Sequence, residues 1–366
     1  MKDANDKEVR KLQVTGRSTY VLSLPKKWME EMNIAAGTPV AILRALDNSL
    51  TIIPDVGGRP EMLDEVTAVI TPSDTTNTLR RKVVSMYLGG YSIIHLKFKS
   101  GRSSPALRDA VRDVVRRNLI GTEMIADASD NITLQVLLSL PELSVNTAIR
   151  RMYLIATSMH KDAMTALAEL NHELAKEVIK SDDEVDRFSL YILRNLVLAT
   201  QNGRILREMG MKHPSDILGY RVVVKSIERV ADHATGIAEH VISLTQKIPK
   251  DSLDRIQKMS EHALAVMGDS VESLLRRDYH LADKTVDNSD KIRLLEAEAI
   301  AAIERDKVQD ITTLKLALEN IRRTAEYASD IAEAALNETI DEVIEKRVRR
   351  SKSGGAPFIE NGFPSF

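Results

Sequence analysis

The stretch IERVADHATGIAE, residues 227–239, recurs as IRRTAEYASDIAE at residues 321–333. The second segment lies 94 residues after the first, and seven of its thirteen positions are identical. A second block matches upstream at an offset of 107 residues, pairing Leu167, Leu174, Ala175 and Asp183 with Leu274, Leu281, Ala282 and Asp290. The different offsets place an insertion of 13 residues in the first copy, near residues 203–214. Because both blocks keep their order, the sequence predicts an internal duplication of about three helices per copy.

The length and amino-acid composition of the chain favour a helical protein of more than one domain. The chain has 366 residues, which predicts two or three domains. Aromatic residues make up 4% against 43% hydrophobic residues, a balance typical of packed helices. The absence of cysteine excludes disulfides and thiolate zinc sites. The start of the chain is charged and no apolar run approaches the ~20 residues that span a bilayer, so we expect a cytoplasmic protein without membrane insertion.

The periodicity of the apolar residues changes several times along the chain. Short alternating apolar runs predict strands near the start, with Asp47–Asn48 as a hairpin turn and residues 55–60 as a linker. Strand-like and helix-like segments then alternate, and helical periodicity dominates from Ser144 onwards. The predicted fold is therefore mainly α. The predicted domains are residues 7–54 (β-rich), 61–141 (a small α/β spacer), 144–248 and 250–345 (the two helical copies) and 346–366 (a disordered basic tail).

Acidic residues cluster in the first helical copy. Three of them lie on one predicted helix and two on a later one: Asp182, Asp183, Asp186, and then Glu228 and Asp232. Residues three or four apart share a helix face, so facing clusters would need a cation between them. Carboxylate oxygens favour a hard multivalent cation. The alternative is a solvated helix surface, because such spacing is common by chance in a chain with 53 acidic residues.

The second copy differs at the corresponding positions. Arg293 aligns with Asp186, and Arg322 aligns with Glu228. The carboxylates of Asp290 and Glu326 remain, so the substitutions predict internal salt bridges in the second copy. We therefore expect one metal site (iron, zinc, magnesium or similar) in the first copy, and none or a weaker one in the second.

A local excess of positive charge lies near the start of the chain. Residues 7–27 contain six basic side chains and one acidic one. Such a patch is typical of contacts to DNA phosphates, the alternative being an ordinary charged surface. The predicted DNA-binding residues are Arg10, Lys11, Arg17, Lys26 and Lys27. Arg10 and Arg17 are the better candidates for base contacts, because only the guanidinium group binds in a bidentate manner.

The acidic motifs resemble those of the PhoU family of phosphate-signalling proteins. The matching positions are Asp183, Val185 and Asp186 in SDDEVDR, and Glu228, Arg229, Val230, Asp232 and His233 in IERVADH. The resemblance implies tandem three-helix bundles whose carboxylates bind multivalent metal clusters. His233 lies beside the second motif and is either an auxiliary ligand or a helix-surface or packing residue. The second copy departs from the motifs at Arg293, Arg322, Glu326 and Tyr327.

Residues 9–54 resemble a second family, the SpoVT/AbrB (MazE-like) domain. The shared features are Gly16, the strand leading to Leu24-Pro25, the pair Lys26-Lys27, and Gly37 before a second hairpin. The resemblance implies a swapped-hairpin β-barrel that forms as a homodimer and binds DNA. The order of the two regions along the chain, with an α/β segment between them, resembles the domain order of archaeal phosphate uptake regulators.

Three functions are compatible with these features. The first is a DNA-binding regulator of phosphate uptake whose helical copies sense metal or phosphate status. The second is a regulator that docks on a phosphate-transporter ATPase, with the N-terminal domain serving only for dimerisation. The third is a metal-dependent hydrolase, but no nucleophile lies beside a plausible base in a recognisable motif. The sequence therefore predicts a regulator and not an enzyme.

Overall fold

The computed structural model describes most of the chain in seven stretches: residues 8–16, 18–32, 34–44, 50–54, 64–99, 101–138 and 142–344. By internal contacts the chain divides into two units, residues 1–63 and residues 64–366. The predicted turn at Asp47–Asn48, the predicted linker at 55–60 and the predicted tail at 346–366 lie outside the described residues.

The first unit contains two separate β-hairpins. Strands β1 and β2 pair antiparallel, as do β3 and β4. Gly16 follows β1 with a φ of +70°, a conformation that glycine adopts without strain. The described residues form no closed barrel, so only the β-rich part of the expected fold is seen within one chain. The elements are β1 (Gln13–Thr15), β2 (Thr19–Val21), α1 (Lys26–Glu31), β3 (Val40–Arg44) and β4 (Leu50–Pro54).

These hairpins leave their apolar side chains in solvent. The exposed fractions of Val14, Tyr20, Ile42 and Leu50 are 61%, 69%, 61% and 66%. Among the described residues of this unit only Pro25 is buried. The described residues of a single copy therefore form no hydrophobic core that could stabilise the strands.

The second unit begins with a small α/β region. Its sheet has the strand order β5-β6-β8-β7, in which β5 and β6 are parallel and the other pairs are antiparallel. The hydroxyls of Thr75 and Ser104 cap the two helices. The predicted strands and helices of this region are confirmed. They are β5 (Glu65–Ile70), α2 (Thr76–Leu88), β6 (Ile93–Phe98), α3 (Pro105–Asn118), β7 (Thr122–Asp127) and β8 (Asn131–Val136).

The rest of the second unit is a helical bundle built from two copies. Helices α4, α5 and α7 form the first copy, and α8, α9, α10 and α11 form the second. Helices α7 and α11 pack against each other between the copies. No described helix is long and apolar enough to cross a membrane. The helices are α4 (Val145–Glu169), α5 (His172–Gln201), α6 (Gly203–Glu208), α7 (Asp216–Ser243), α8 (Lys250–Arg276), α9 (Tyr279–Ser289), α10 (Lys291–Arg305) and α11 (Ile311–Thr339).

The duplication is visible in the core. Ile227 and Ala231 of α7 are fully buried, and so are their counterparts Ile321 and Ala325 of α11. Positions identical in both copies thus form the apolar contact, because they recur at helical spacing on the packed face. The predicted insertion contains the short helix α6, and the second copy interrupts its middle helix at Asp290, between α9 and α10.

A buried arginine joins the α/β region to the bundle. Arg194 of α5 donates hydrogen bonds to the main-chain oxygens of Tyr87 and Gly90, the latter at 2.9 Å. Its guanidinium also lies 4.9 Å from the centre of the Tyr87 ring. The α/β region is therefore fixed on the outer helix of the first copy.

A candidate acidic site on the first helical copy

Helices α5 and α7 place the predicted acidic residues on facing turns. Val185 of α5 and Val230 of α7 are fully buried. Their burial sets the rotation of each helix and leaves Asp182 and Asp186 partly buried beside them. Glu228 lies on the neighbouring surface of α7, with a side chain only 18% exposed. The hydrophobic face of each helix thus decides where the carboxylates lie.

The carboxylates of the two helices raise one another's pKa. Burial raises the pKa of Asp182 to about 7, with further contributions from Asp186 and Asp232. Burial, followed by the charge of Glu228, raises the pKa of Asp186 to about 6. The pKa of Asp232 is also raised, by burial and by Glu228. Four predicted site residues are therefore close enough to share one electrostatic environment.

Part of this negative charge is balanced by residues on the same helices. The ammonium group of Lys225 forms an ion pair with Glu228, and the Ser189 hydroxyl donates a hydrogen bond to Glu228 Oε2 at 3.1 Å. Asp182 and Asp186 form no ion pair with a described residue. The uncompensated charge is therefore concentrated on these two aspartates of α5.

Asp183 occupies a different position from the other four. Its side chain is 55% exposed and lies 3.7 Å from Arg117 at the end of α3. The α/β region therefore supplies a cation at the edge of the acidic cluster. The sequence did not indicate this contact, because Arg117 precedes Asp183 by 66 residues and belongs to another predicted domain.

The chemistry of the cluster fits a hard cation, whereas its present side-chain positions do not form a complete ligand set. Carboxylate oxygens are the preferred ligands of such ions, and burial together with neighbouring carboxylates raises the pKa of Asp182 and Asp186. No group of three or more Asp, Glu or His side chains in the described part of the chain is arranged to hold a metal ion. The metal site stays a prediction.

His233 is engaged in the contact between the copies. Its Nδ1 lies 2.7 Å from Oδ1 of Asn320 on α11. Its ring stacks on that of Tyr327 with centroids 5.6 Å apart. Because His233 and Tyr327 are equivalent positions, the two copies meet at matching residues. The predicted role of His233 as an auxiliary ligand stays a prediction.

The second copy contains the internal salt bridges that the sequence predicted. Arg322 is 21% exposed and forms ion pairs with Glu296 at 3.3 Å, with Glu319 at 3.6 Å and with Glu326. Arg293 behaves differently, because it is exposed and forms no ion pair with a described residue. Arg322 alone therefore carries the neutralisation that was expected from both arginines.

The residues that the sequence analysis missed are Lys225, Ser189 and Arg117. Lys225 precedes Glu228 by one helical turn, so the spacing alone could have predicted their ion pair. Ser189 and Arg117 act across helix contacts, for which the local sequence carries no signal.

Four of the five predicted DNA-binding residues lie on the surface of the first unit. Arg10 pairs with Glu8, and Lys11 is exposed. Lys26 and Lys27 lie 3.5 Å and 3.9 Å from glutamates one turn further along α1. Arg17 lies outside the described residues. Such exposed ion pairs are weak, and the role of these residues in DNA binding stays a prediction.

The duplicated helical fold and its acidic motifs match a known domain. Residues 149–241 and 256–335 match the PhoU domain family, and residues 13–60 match the family described as "Antidote-toxin recognition MazE, bacterial antitoxin". The bundle thus contains two copies of one domain. This chain contains two PhoU-type domains, with a MazE-type domain at its N-terminal side.

Relatives of this chain include phosphate-specific transport system accessory protein PhoU homologs. The one from Aquifex aeolicus is 33% identical over 135 residues, which is 36% of this chain and 57% of the relative. The one from Clostridium acetobutylicum is 22% identical over 204 residues, or 52% of this chain and 89% of the relative. The chain thus spans little more than half of the first relative.

Two solved structures are also similar. The phosphate transport system regulatory protein PhoU from Streptococcus pneumoniae has 18% identity and a TM-score of 0.46, covering 55% of this chain and 96% of its own. PhoU from Pseudomonas aeruginosa has 17% identity and a TM-score of 0.48, covering 54% and 96%.

Proposed function

We propose that this protein is a DNA-binding regulator of phosphate uptake. Its first unit binds DNA as a homodimer, and its helical unit responds to metal or phosphate status. The observation that carries the proposal is the combination, in one chain, of two PhoU domains with a MazE-type domain. The curated relatives are named as accessory proteins of phosphate-specific transport, which supports the subject of the regulation.

The exposed strands of the first unit support dimerisation. Apolar side chains of both hairpins, such as Tyr20 and Ile42, are more than half exposed. A second copy would bury them by pairing hairpin against hairpin, which is the usual solution for a small self-complementary surface. The homodimer would also place two basic patches on one assembly, as DNA half-sites require.

The acidic cluster supports a sensing role for the helical unit. A multivalent cation would be held by Asp182, Asp186 and Asp232, with Glu228 exchanging Lys225 for the ion. The ion would neutralise carboxylates on both α5 and α7 and so favour one arrangement of the two helices. Arg194 of α5 is hydrogen-bonded to the α/β region, so a change in the position of α5 would be transmitted to that region.

The experiment measures binding of the full chain to DNA from the region upstream of phosphate-transport genes, by fluorescence anisotropy. We expect affinity to fall steeply with salt, because phosphate contacts release counterions. Arg17→Glu combined with Lys26→Glu should abolish binding while the dimer and helical content persist. Lys258→Glu, an exposed reversal on α8, is the matched control and should bind like the parent.

A second candidate is regulation by docking on a transporter ATPase, favoured by the names of the relatives. In that case the Arg17 and Lys26 reversals would leave function unchanged. A phosphate-transporter ATPase would then bind the parent, the double reversal and the Lys258→Glu control equally. DNA binding that is absent, or that does not depend on the DNA sequence, would rule out the first proposal.

A further inference from the structure

A groove lies on the helical unit between the first half of α7 and the second half of α11. It encloses about 430 Å³. Its apolar lining includes Leu218 and Val222, whose exposed fractions are 69% and 45%. Four acidic residues line it, and none of them belongs to the α5–α7 acidic cluster: Asp216, Asp330, Glu333 and Glu338.

The negative charge of this groove is not balanced within the described part of the chain. None of its four carboxylates forms an ion pair with a described residue. The nearby Arg277 donates a hydrogen bond to the main-chain oxygen of Glu338 at 2.7 Å. Glu338 Oε2 is buried without a hydrogen-bond partner among the described residues. Burial, followed by the charge of Asp216, raises the pKa of Glu338 to about 7.

Helices α7 and α11 approach each other closely at the groove. A Cβ atom at Gly219 would lie 2.8 Å from Oε1 of Glu338, so a larger residue would force this carboxylate away. The groove therefore combines exposed apolar side chains with carboxylates that form no ion pair with a described residue, although Asp216 accepts hydrogen bonds from the main chain at Lys212 and His213. This chemistry suits a cationic peptide with an apolar residue among its basic ones.

The chain itself contains such a segment next to the groove. Residues 346–352, KRVRRSK, carry five positive charges, no negative charge and a central valine. They follow shortly after α11, which ends at Thr339. The groove begins on α11 at Asp330, about 14 Å back along the helix, and seven extended residues span about 23 Å. The segment is therefore long enough to reach.

We propose that residues 346–352 of this chain bind in the groove between α7 and α11. The basic side chains pair with the four groove carboxylates, and Val348 contacts Leu218 and Val222. The segment thereby covers an apolar surface that would otherwise be open to other cationic partners. The proposal is independent of DNA binding and of the α5–α7 acidic cluster.

Disulfide trapping in the full chain tests the proposal, because the protein has no cysteine of its own. The groove pair is Leu218→Cys with Ser351→Cys. The matched control is His280→Cys with Ser351→Cys, since His280 is exposed and lines a pocket with Glu342 and Val343, close to the start of the segment. Val222→Cys is a second groove position if the first variant fails to fold. Intramolecular disulfide formation is followed by non-reducing mass spectrometry at low protein concentration.

We expect the groove pair to close at least tenfold faster than the control pair. The advantage should disappear at 1 M salt, and also when Arg347, Arg349 and Arg350 are changed to Glu. Equal rates for the two pairs would overturn the proposal, as would an advantage that survives the charge reversal. A product that joins two chains would assign the groove to a second copy and overturn it as well.

Discussion

The first helical copy places Glu228 where the second places Arg322, and the consequences reach beyond the two residues. Arg322 contacts three glutamates within its own copy. In the first copy Lys225 contacts Glu228 alone, and Asp182 and Asp186 keep raised pKa values. The comparison shows that both copies keep the packing, while at these positions the second copy is neutralised by its own arginine. In the first copy, Asp182 and Asp186 form no ion pair with a described residue.

The largest effect is expected from removing the cation of the second copy. Arg322→Ala should destabilise the helical unit by about 3 kcal/mol, because the partly buried Glu296 loses its ion pair while Glu319 and Glu326 keep only Arg323. Arg293→Ala is the control at the other substituted position. Its exposed side chain predicts a change within about 0.5 kcal/mol. Denaturant unfolding followed by circular dichroism measures both, and equal effects would show that Arg322 is not the neutralising residue.

Adding a multivalent cation should sharpen the difference between the copies. At a concentration of 100 times the dissociation constant, a bound ion would stabilise the fold by about 2.7 kcal/mol. Asp186→Arg with Glu228→Arg copies the second copy's charges into the first and should abolish cation binding. Metal analysis of protein purified without chelator, with calorimetric titration, gives the result. Unchanged binding in this variant would place the ion elsewhere.

Part of the pH dependence of stability should come from the first copy, beside the contribution of Glu338 on α11. The pKa of Asp182 is raised to about 7, so the folded protein binds its proton more tightly than the unfolded chain does. Stability therefore decreases as the pH rises from about 4 towards 7. Asp182→Asn should raise stability at pH 8 by about 1–2 kcal/mol, since solvent screens a half-exposed carboxylate, and by almost nothing at pH 4. Asp183→Asn, at the exposed edge, is the control and should change the pH profile much less, because Asp183 only adds its charge to the environment of Asp182 and Asp186.

The smallest effect is expected at the contact between α3 and the acidic cluster. Arg117→Ala removes an ion pair of 3.7 Å between two largely exposed side chains. Stability should change by no more than about 0.5 kcal/mol. Cation affinity should rise slightly, because a competing positive charge is lost. A fall in cation affinity, measured by the same titration, would mean that Arg117 supports the site and does not compete with it.

The regular elements and the duplication could be read from the sequence because they depend on local periodicity. Ile227 and Ile321 recur at equivalent helical positions, and both are fully buried. The acidic residues were also identifiable, since their spacing on one helix follows from its geometry. The helical pattern also predicts a break within residues 280–290, and the structure has one at Asp290.

By itself the sequence determined the two helical copies, the α/β region, the hairpins and the asymmetry between acidic and basic positions. Only the tertiary structure decided which charges meet: Lys225 and Ser189 with Glu228, Arg117 with Asp183, and Arg194 with the main chain at Tyr87 and Gly90. The physical reason is range. Helix and strand formation follow from patterns within a few residues, whereas charge pairing depends on how buried apolar faces rotate and dock distant elements.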